Sequence, residues 1–314
     1  MSDASAGGDL RVVCGPTAAG KSAIALWLAE HTSATIVSAD SRQVYRGFDI
    51  GTAKPTREER TRVPHAGIDV VDPAERYSAA TWAAAADRWI DDARAAARVP
   101  IVVGGTGLYI RALCEGLFDE PVLDGARRVA LSRELERLPS GELRRWVAEL
   151  DPDRSHLGRT QLLRAAEIAL LTGQRMSALH RERRGTSRWR PRYLLVDPGP
   201  ALAHRIASRI DHMLDHGWPE EVARLMQTVP ADAPAWKATG YDAVRQMIDG
   251  KLSRAAAREQ ILIATRQYAK RQRTWFRHQL PAAEVMPINP LSPDWMTIAQ
   301  RWFDGGLPEH GAPV

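Results

Sequence analysis

Residues Leu10–Leu28 read LRVVCGPTAAGKSAIALWL, and this stretch decides the fold. Its centre, Gly15, Pro16, Thr17, Ala18, Ala19, Gly20, Lys21 and Ser22, satisfies the phosphate-loop pattern G-x-x-x-x-G-K-[ST]. An apolar run, Leu10 to Cys14, precedes it, and Ile24 to Leu28 follow it at helical spacing. Strand, glycine-rich turn and helix in that order let successive backbone N–H groups curl around a polyphosphate. Lys21 supplies a point charge there, and Ser22 a hydroxyl for Mg²⁺. The alternative is a tight turn that binds nothing, and the flanking elements argue against it.

Outward from the loop, short apolar runs alternate with helical stretches, the pattern of a parallel α/β sheet. Further strands are expected at Thr35–Ser38, Gly67–Val71 and Ile101–Val103, with helices over Ser22–Glu30 and Ser78–Arg98. Strand signals stop from about Phe118 to Pro191. There Arg127–Leu138, Gly141–Leu150 and Thr160–Leu171 read as amphipathic helices, punctuated by Pro139, Pro152 and Gly173. Tyr193–Asp197 then returns the chain to the sheet. The expected architecture is a discontinuous phosphate-loop α/β core, 1–117 and 192–290, interrupted by a helical insertion, 118–191. A helical C-terminal segment ends the core, and 291–314 is expected to be a tail without pattern.

The 314 residues are 44% apolar, which suits a water-soluble α/β protein. No uncharged apolar stretch approaches the roughly 18 residues that a bilayer span requires. Met1 to Asp9 has neither a basic nor an apolar signal region, so a cytoplasmic location is expected. The two cysteines, Cys14 and Cys114, lack the spacing of a zinc site or disulfide framework. Net charge is +5, and it is unevenly spread. Arg266 to His278 carries Arg266, Lys270, Arg271, Arg273 and Arg277 with no acid; Arg181 to Arg192 carries six arginines against Glu182. Such runs suit a phosphate backbone, or else they are solvated faces.

Two further strand ends carry chemistry. Ser38-Ala39-Asp40-Ser41-Arg42-Gln43 follows the second strand, where ligands of open α/β sheets sit. Asp40 can hold Mg²⁺ through water, accept a proton from a nucleophile, or merely cap a helix. Val103-Gly104-Gly105-Thr106-Gly107 ends the fourth strand without the acid of an ordinary ATPase, and offers Thr106 as a hydrogen-bonding group. Asp197, after Tyr193-Leu194-Leu195-Val196, keeps an ATPase-type acid in play.

GPTAAGKS, SADSRQVYRGFDIGTAKP, VGGTGLYIRAL, ATGYDAV and TRQYAKRQRTWFR occur in this order between about Leu10 and Arg277. Together they resemble the bacterial tRNA dimethylallyltransferases. That resemblance implies a P-loop-kinase-like fold that transfers an isoprenyl group to N6 of the adenine just 3′ of the tRNA anticodon. The loop Gly15–Ser22 would then hold the diphosphate of dimethylallyl diphosphate with Mg²⁺ at Ser22. Asp40 would be the general base, with Thr17, Lys21 and Arg209 acting on the diphosphate. For tRNA the resemblance implies contacts at Asp40, Ser41, Arg42 and Gln43, at Thr106 and Arg128, and at Thr160, Gln161 and Arg164. It also implies contacts at Lys237, Gly240, Tyr241 and Asp242, and at Lys270, Arg271, Gln272, Arg273, Trp275 and Arg277. Trp275 could stack on a base or pack in the core. Two positions depart from the family's pattern: His65-Ala66 stands where paired histidines are usual, and Gln161 where an arginine is usual.

Two other readings compete with the RNA prenyltransferase, which is expected to work as a monomer. One is a small-molecule kinase or isopentenyltransferase on the same scaffold; the other is a nucleotide-gated RNA binder without catalysis. An extended cationic surface is superfluous for the former, and Asp40 lacks a purpose in the latter.

Overall fold

The computed structural model describes residues 8–116, 123–182 and 188–306. Contacts divide the chain into two units, Met1–Cys114 with Arg188–Val314, and Glu115–Ser187. The first contains β1 (Gly8–Cys14), α1 (Lys21–Thr32), β2 (Ala34–Ser38), α2 (Arg57–Arg62) and β3 (His65–Ala66). There follow α3 (Ala79–Ala95), β4 (Val99–Gly104) and α4 (Gly107–Glu115). The second unit holds α5 (Gly125–Arg137), α6 (Ser140–Leu150), α7 (Arg159–Thr172) and α8 (Met176–Glu182). The first unit then resumes with β5 (Trp189–Val196), α9 (Leu202–Asp215), α10 (Trp218–Thr228) and α11 (Tyr241–Ile248). It ends with α12 (Arg254–Gln279), β6 (Val285–Ile288) and α13 (Trp295–Phe303).

Among the described residues the six strands form one sheet, ordered β3-β2-β4-β1-β5-β6, with every pair parallel. Alternation along the strands feeds two apolar layers, because successive side chains leave opposite faces. Val12, Cys14 and Val102 share one layer with Trp82 and Ile90 of α3 and Ile110 and Leu113 of α4. Val13, Ile101, Val103 and Leu194 share the other with Ile24 and Leu28 of α1 and Trp302 and Phe303 of α13. The register Val13↔Val103, with Cys14↔Gly104 beside it, brings the ends of β1 and β4 level. The end of β2 is pinned from below: fully buried Trp82 donates from Nε1 to the Ser38 carbonyl at 3.0 Å and stacks on Tyr109 at 4.7 Å.

The Glu115–Ser187 unit has its own core of Leu135, Leu143, Val147, Leu162, Ala165 and Ala166. Asp124 caps α5 by accepting from the Arg127 N–H at 2.9 Å, and Gly173, at φ +69°, closes α7.

Three expectations need correction. The strand expected over Gly67–Val71 is instead His65–Ala66, because Gly67 (φ +78°) and Asp69 (φ +57°) turn the chain out of extended conformation. Val71 keeps only an isolated bridge to Tyr45. The expected insertion limit of 191 falls inside β5, which begins at Trp189. The expected tail is partly structured: α13 buries Ala299, Trp302 and Phe303, and Trp295 meets Trp27 of α1 edge-on at 5.4 Å. Residues 307–314, also read as tail, lie outside the described residues, as do 183–187 of the second basic run. Among the described residues no helix is long and apolar enough to cross a membrane.

Candidate active site

A cavity of about 610 Å³ lies over the carboxyl ends of β2 and β4 and the loop after β1. The loop after β1 forms its floor. Gly15 sits at φ +145°, and a Cβ there would come 2.2 Å from the Val196 carbonyl oxygen, so no other residue fits. Ala18 adopts φ +61°, and its carbonyl accepts from Arg205 Nε of α9 at 2.9 Å. The Thr17 N–H donates to the Gln272 side chain of α12 at 2.8 Å. Lys21 Nζ donates to the Pro16 carbonyl at 2.7 Å, inside the loop it serves. Ser22 is exposed in the first turn of α1 and lines the cavity with Thr17, Ala18, Gly20 and Lys21.

Asp40 forms the opposing wall. Its Oδ1 accepts from the Arg42 N–H at 2.8 Å and from the Gln43 N–H at 3.4 Å, while Oδ2 has no partner among the described residues. One oxygen therefore shapes a turn, with no helix following for it to cap, and the carboxylate still borders the cavity. Ser41 N–H donates to Thr106 Oγ1 at 3.1 Å, which ties the Asp40 turn to the end of β4. Gln43 spends its amide on the chain itself, accepting from Ser38 Oγ at 2.9 Å and donating to the Ala53 carbonyl at 3.0 Å.

Cations dominate this space. Lys21, Arg42, Arg205 and Arg209 all line the cavity, beside Lys54, which is already paired with Asp49 and Asp69. Desolvation, and then the nearby Arg209, hold the Lys21 ammonium down to about 8, with Asp40 opposing them. Arg209 is also lowered by burial, and again Asp40 acts the other way. Such a cluster is costly unless an anion joins it. His65 lines the cavity too; its Nδ1 bonds with the Val63 carbonyl at 2.8 Å, and burial lowers its pKa. No group of three or more His, Cys, Asp or Glu is placed to hold a metal ion among the described residues. A divalent ion here would rest on Ser22, Asp40, water and the ligand's own phosphate oxygens, a donor set that suits Mg²⁺.

Helix α12 contributes what contiguous motifs could not reveal. Ile261, Thr265, Tyr268 and Gln272 face the cavity at a three-to-four-residue spacing, while Lys270, Arg271 and Arg277 are exposed. The Tyr268 hydroxyl is pushed up to about 12, chiefly by burial and then by Asp40, with nearby Thr106 acting the other way.

Several expected RNA contacts turn inward instead. Tyr241 is fully buried, and its hydroxyl donates to Glu221 Oε1 at 2.6 Å. Gln272 is buried between two loops. Arg273 makes a two-pronged ion pair with Asp197, through Nε at 2.8 Å and also through Nη2. That pairing, with the Gly199 N–H on Asp197 Oδ1, also removes Asp197 from consideration as an ATPase-type acid. Trp275 is half-buried, meets Phe276 edge-on at 5.2 Å and would collide with any Cβ at Gly107, so it packs. Gly240 (φ +94°) lies against Trp218, while Lys237 and Asp242 are exposed. In the helical unit Thr160 and Gln161 are exposed, and Gln161 Oε1 accepts from the Gly158 N–H at 3.3 Å. Arg164 pairs with Glu167 at 2.7 Å, and Arg128 approaches the same carboxylate at 3.5 Å.

Comparison with known proteins accords with this geometry. The IPP transferase family model matches residues 43–279, and the isopentenyl transferase model matches residues 8–65. A tRNA dimethylallyltransferase of Cupriavidus taiwanensis is 42% identical over 311 residues, covering 94% of this chain and 96% of the relative. The crystal structure of the tRNA isopentenylpyrophosphate transferase of Bacillus halodurans superposes with a TM-score of 0.67 at 31% identity, covering 94% and 96% of the two chains. A eukaryotic dimethylallyltransferase captured acting on tRNA shares the fold at a TM-score of 0.79 and 23% identity, covering 98% of this chain and 82% of that one. Matched by the family model over most of its length, and by a relative 42% identical over 94% of it, the chain belongs to the IPP transferase family.

Proposed function

We infer that this chain transfers the dimethylallyl group of dimethylallyl diphosphate to N6 of the adenine 3′ of the anticodon in tRNA. The observation that carries this reading is the meeting of Asp40 with Lys21, Arg205 and Arg209 in one cavity over the strand ends. A carboxylate then stands beside a cationic cradle, as displacement of a diphosphate by a neutral amine requires.

An adenine N6 lone pair is delocalised into the ring and attacks weakly. Positioning and proton removal must therefore accompany bond formation. The C–N bond forms as the C–O bond to diphosphate breaks, and the N6 proton passes to the Asp40 carboxylate. Negative charge gathers on the leaving diphosphate, where Lys21, Arg209, Thr17 and the loop amides stabilise it. Mg²⁺ held through Ser22 would neutralise part of that charge when bound. The target base has to leave the anticodon stack to enter such a cavity. Exposed Lys237, Lys270, Arg271 and Arg277 of the first unit, and exposed Thr160 and Gln161 with partly exposed Arg128 of the helical unit, serve the RNA backbone and loop. The enzyme works as a monomer in the cytoplasm.

The test is transfer of labelled dimethylallyl diphosphate, with Mg²⁺, to an unmodified anticodon stem-loop or to AMP. Label in RNA alone is the expected result. Label on AMP would instead mark a small-molecule isopentenyltransferase, and a phosphate moved to the acceptor would mark a kinase.

A further inference from the structure

We propose that Gln272 is a positioning residue for this transfer, locking the phosphate loop and the end of β4 in one register through a single carboxamide. The proposal rests on the function inferred above. Gln272 is only 6% exposed. Its Oε1 accepts from the Thr17 N–H at 2.8 Å, and its Nε2 donates to the Gly105 carbonyl at 2.8 Å. The orientation of the amide is fixed by its partners, since a backbone N–H can only donate and a carbonyl can only accept.

These two bonds join the halves of the site. Thr17 belongs to the loop that carries Lys21. Gly105 precedes Thr106, whose hydroxyl holds the Ser41 N–H beside Asp40. The acid side and the diphosphate side are thus linked through one planar head group. There is no slack at that link: a Cβ on Gly105 would lie 2.3 Å from Gln272 Nε2. The same helix carries exposed Lys270 and Arg271, so the element offered to RNA also sets the phosphate loop. A displacement reaction that needs nucleophile, carbon and leaving oxygen in line is sensitive to such alignment.

The test compares wild type, Gln272→Met and Gln272→Glu as full chains, using labelled dimethylallyl diphosphate, Mg²⁺ and an anticodon stem-loop. Absence of transfer by wild type would count against the function itself; the proposal concerns the variants relative to an active wild type. Gln272→Met keeps the volume and loses both bonds. Its kcat is expected to fall about a hundredfold, the scale of a misaligned reacting pair, with stem-loop affinity changed only a few-fold.

Gln272→Glu separates positioning from mere packing. A protonated carboxyl reproduces both bonds, its carbonyl accepting from Thr17 and its O–H donating to Gly105; an ionised one faces the Gly105 carbonyl with no proton. The ionisable groups lining the same cavity include Lys21 on α1, Asp40 and Arg42 after β2, Arg205 and Arg209 on α9, and Tyr268 on α12. Taking the ratio of Gln272→Glu to wild-type kcat at each pH cancels their shared titration. That ratio is expected to climb as pH falls. A flat ratio, or a methionine variant with wild-type kcat, overturns the proposal. Should the methionine variant not fold, the glutamate ratio decides alone.

Discussion

In the proposed mechanism Asp40 has two jobs for one carboxylate, and they can be separated by substitution. Oδ1 holds the turn through the Arg42 and Gln43 N–H groups, a duty that an amide oxygen can perform. Proton acceptance from N6 needs the anion. Asp40→Asn should therefore keep the fold and the RNA affinity within a few-fold while kcat drops about 10²- to 10⁴-fold, the usual worth of a general base. Stem-loop binding and single-turnover transfer measured on the same sample check this, and an asparagine variant with wild-type kcat would dismiss the base. Lys21 provides the second residue-scale test. Its ammonium is held down to about 8 in the ligand-free site. A bound diphosphate raises that value, since an adjacent anion favours the charged form. Below about pH 8 the ammonium is charged in both states and no proton is linked to binding; above it, binding must restore a proton that the free protein has lost. Inorganic pyrophosphate should thus bind with proton uptake, and more weakly as pH climbs past 8, once the ligand's own titration is subtracted. Calorimetry in buffers of different ionisation enthalpy measures the uptake. Lys21→Arg should abolish it, because a guanidinium does not titrate in that range.

Helix α12 shows why a basic run is a poor unit of function. Its thirteen-residue stretch from Arg266 to His278 reads as one cationic surface, yet the helical period distributes it over several environments. Lys270 and Arg271 stay in solvent, Arg273 folds onto Asp197, Gln272 goes inside and half-buried Trp275 packs against the core. Charge reversal should separate these roles. Arg271→Glu should weaken stem-loop binding and reduce its salt slope while leaving the unfolding midpoint in place. Arg273→Glu should instead lower stability, by less than the about 3–5 kcal/mol that breaking a fully buried pair costs, since it puts a like charge against a half-buried Asp197. Denaturant unfolding and a salt titration on both variants distinguish the outcomes, and equal effects on RNA binding would show that the two arginines share one surface. The same element marks the limit of what could be read in the sequence. The phosphate loop, Asp40 and the strand–helix alternation were legible because their partners are neighbours in the chain. Tyr268, Gln272 and Glu221 were not, because each acquires its role from a segment far away. Glu221, for example, anchors the Asp49 and Ile50 N–H groups as well as the Tyr241 hydroxyl, and no local pattern announces this. Strand β6 and helix α13 escaped notice for a related reason: four residues containing a proline, and nine residues after a loop, look like a terminus until β5 and α1 supply surfaces for them.

At the scale of the molecule, the two anionic substrates of the proposed reaction would meet two different kinds of positive charge. The chain as a whole carries a net charge of +5, and exposed lysines and arginines lie on both compact units, open to solvent and to salt. The cavity holds Lys21, Arg205 and Arg209 among apolar walls that include Ile206, Ile210 and Met213, where counterions screen less. Charges in contact with bulk water interact over a Debye length of about 8 Å at physiological ionic strength, whereas buried pairs are shielded much less. RNA binding also releases condensed counterions in proportion to the phosphates neutralised, which steepens its salt dependence further. Raising salt should therefore increase the KM for an anticodon stem-loop steeply, increase that for dimethylallyl diphosphate only weakly, and leave kcat at saturation unchanged. If both KM values rose in parallel, the diphosphate would be held by solvent-exposed charge, and the division between an enclosed cradle and an open RNA surface would be wrong.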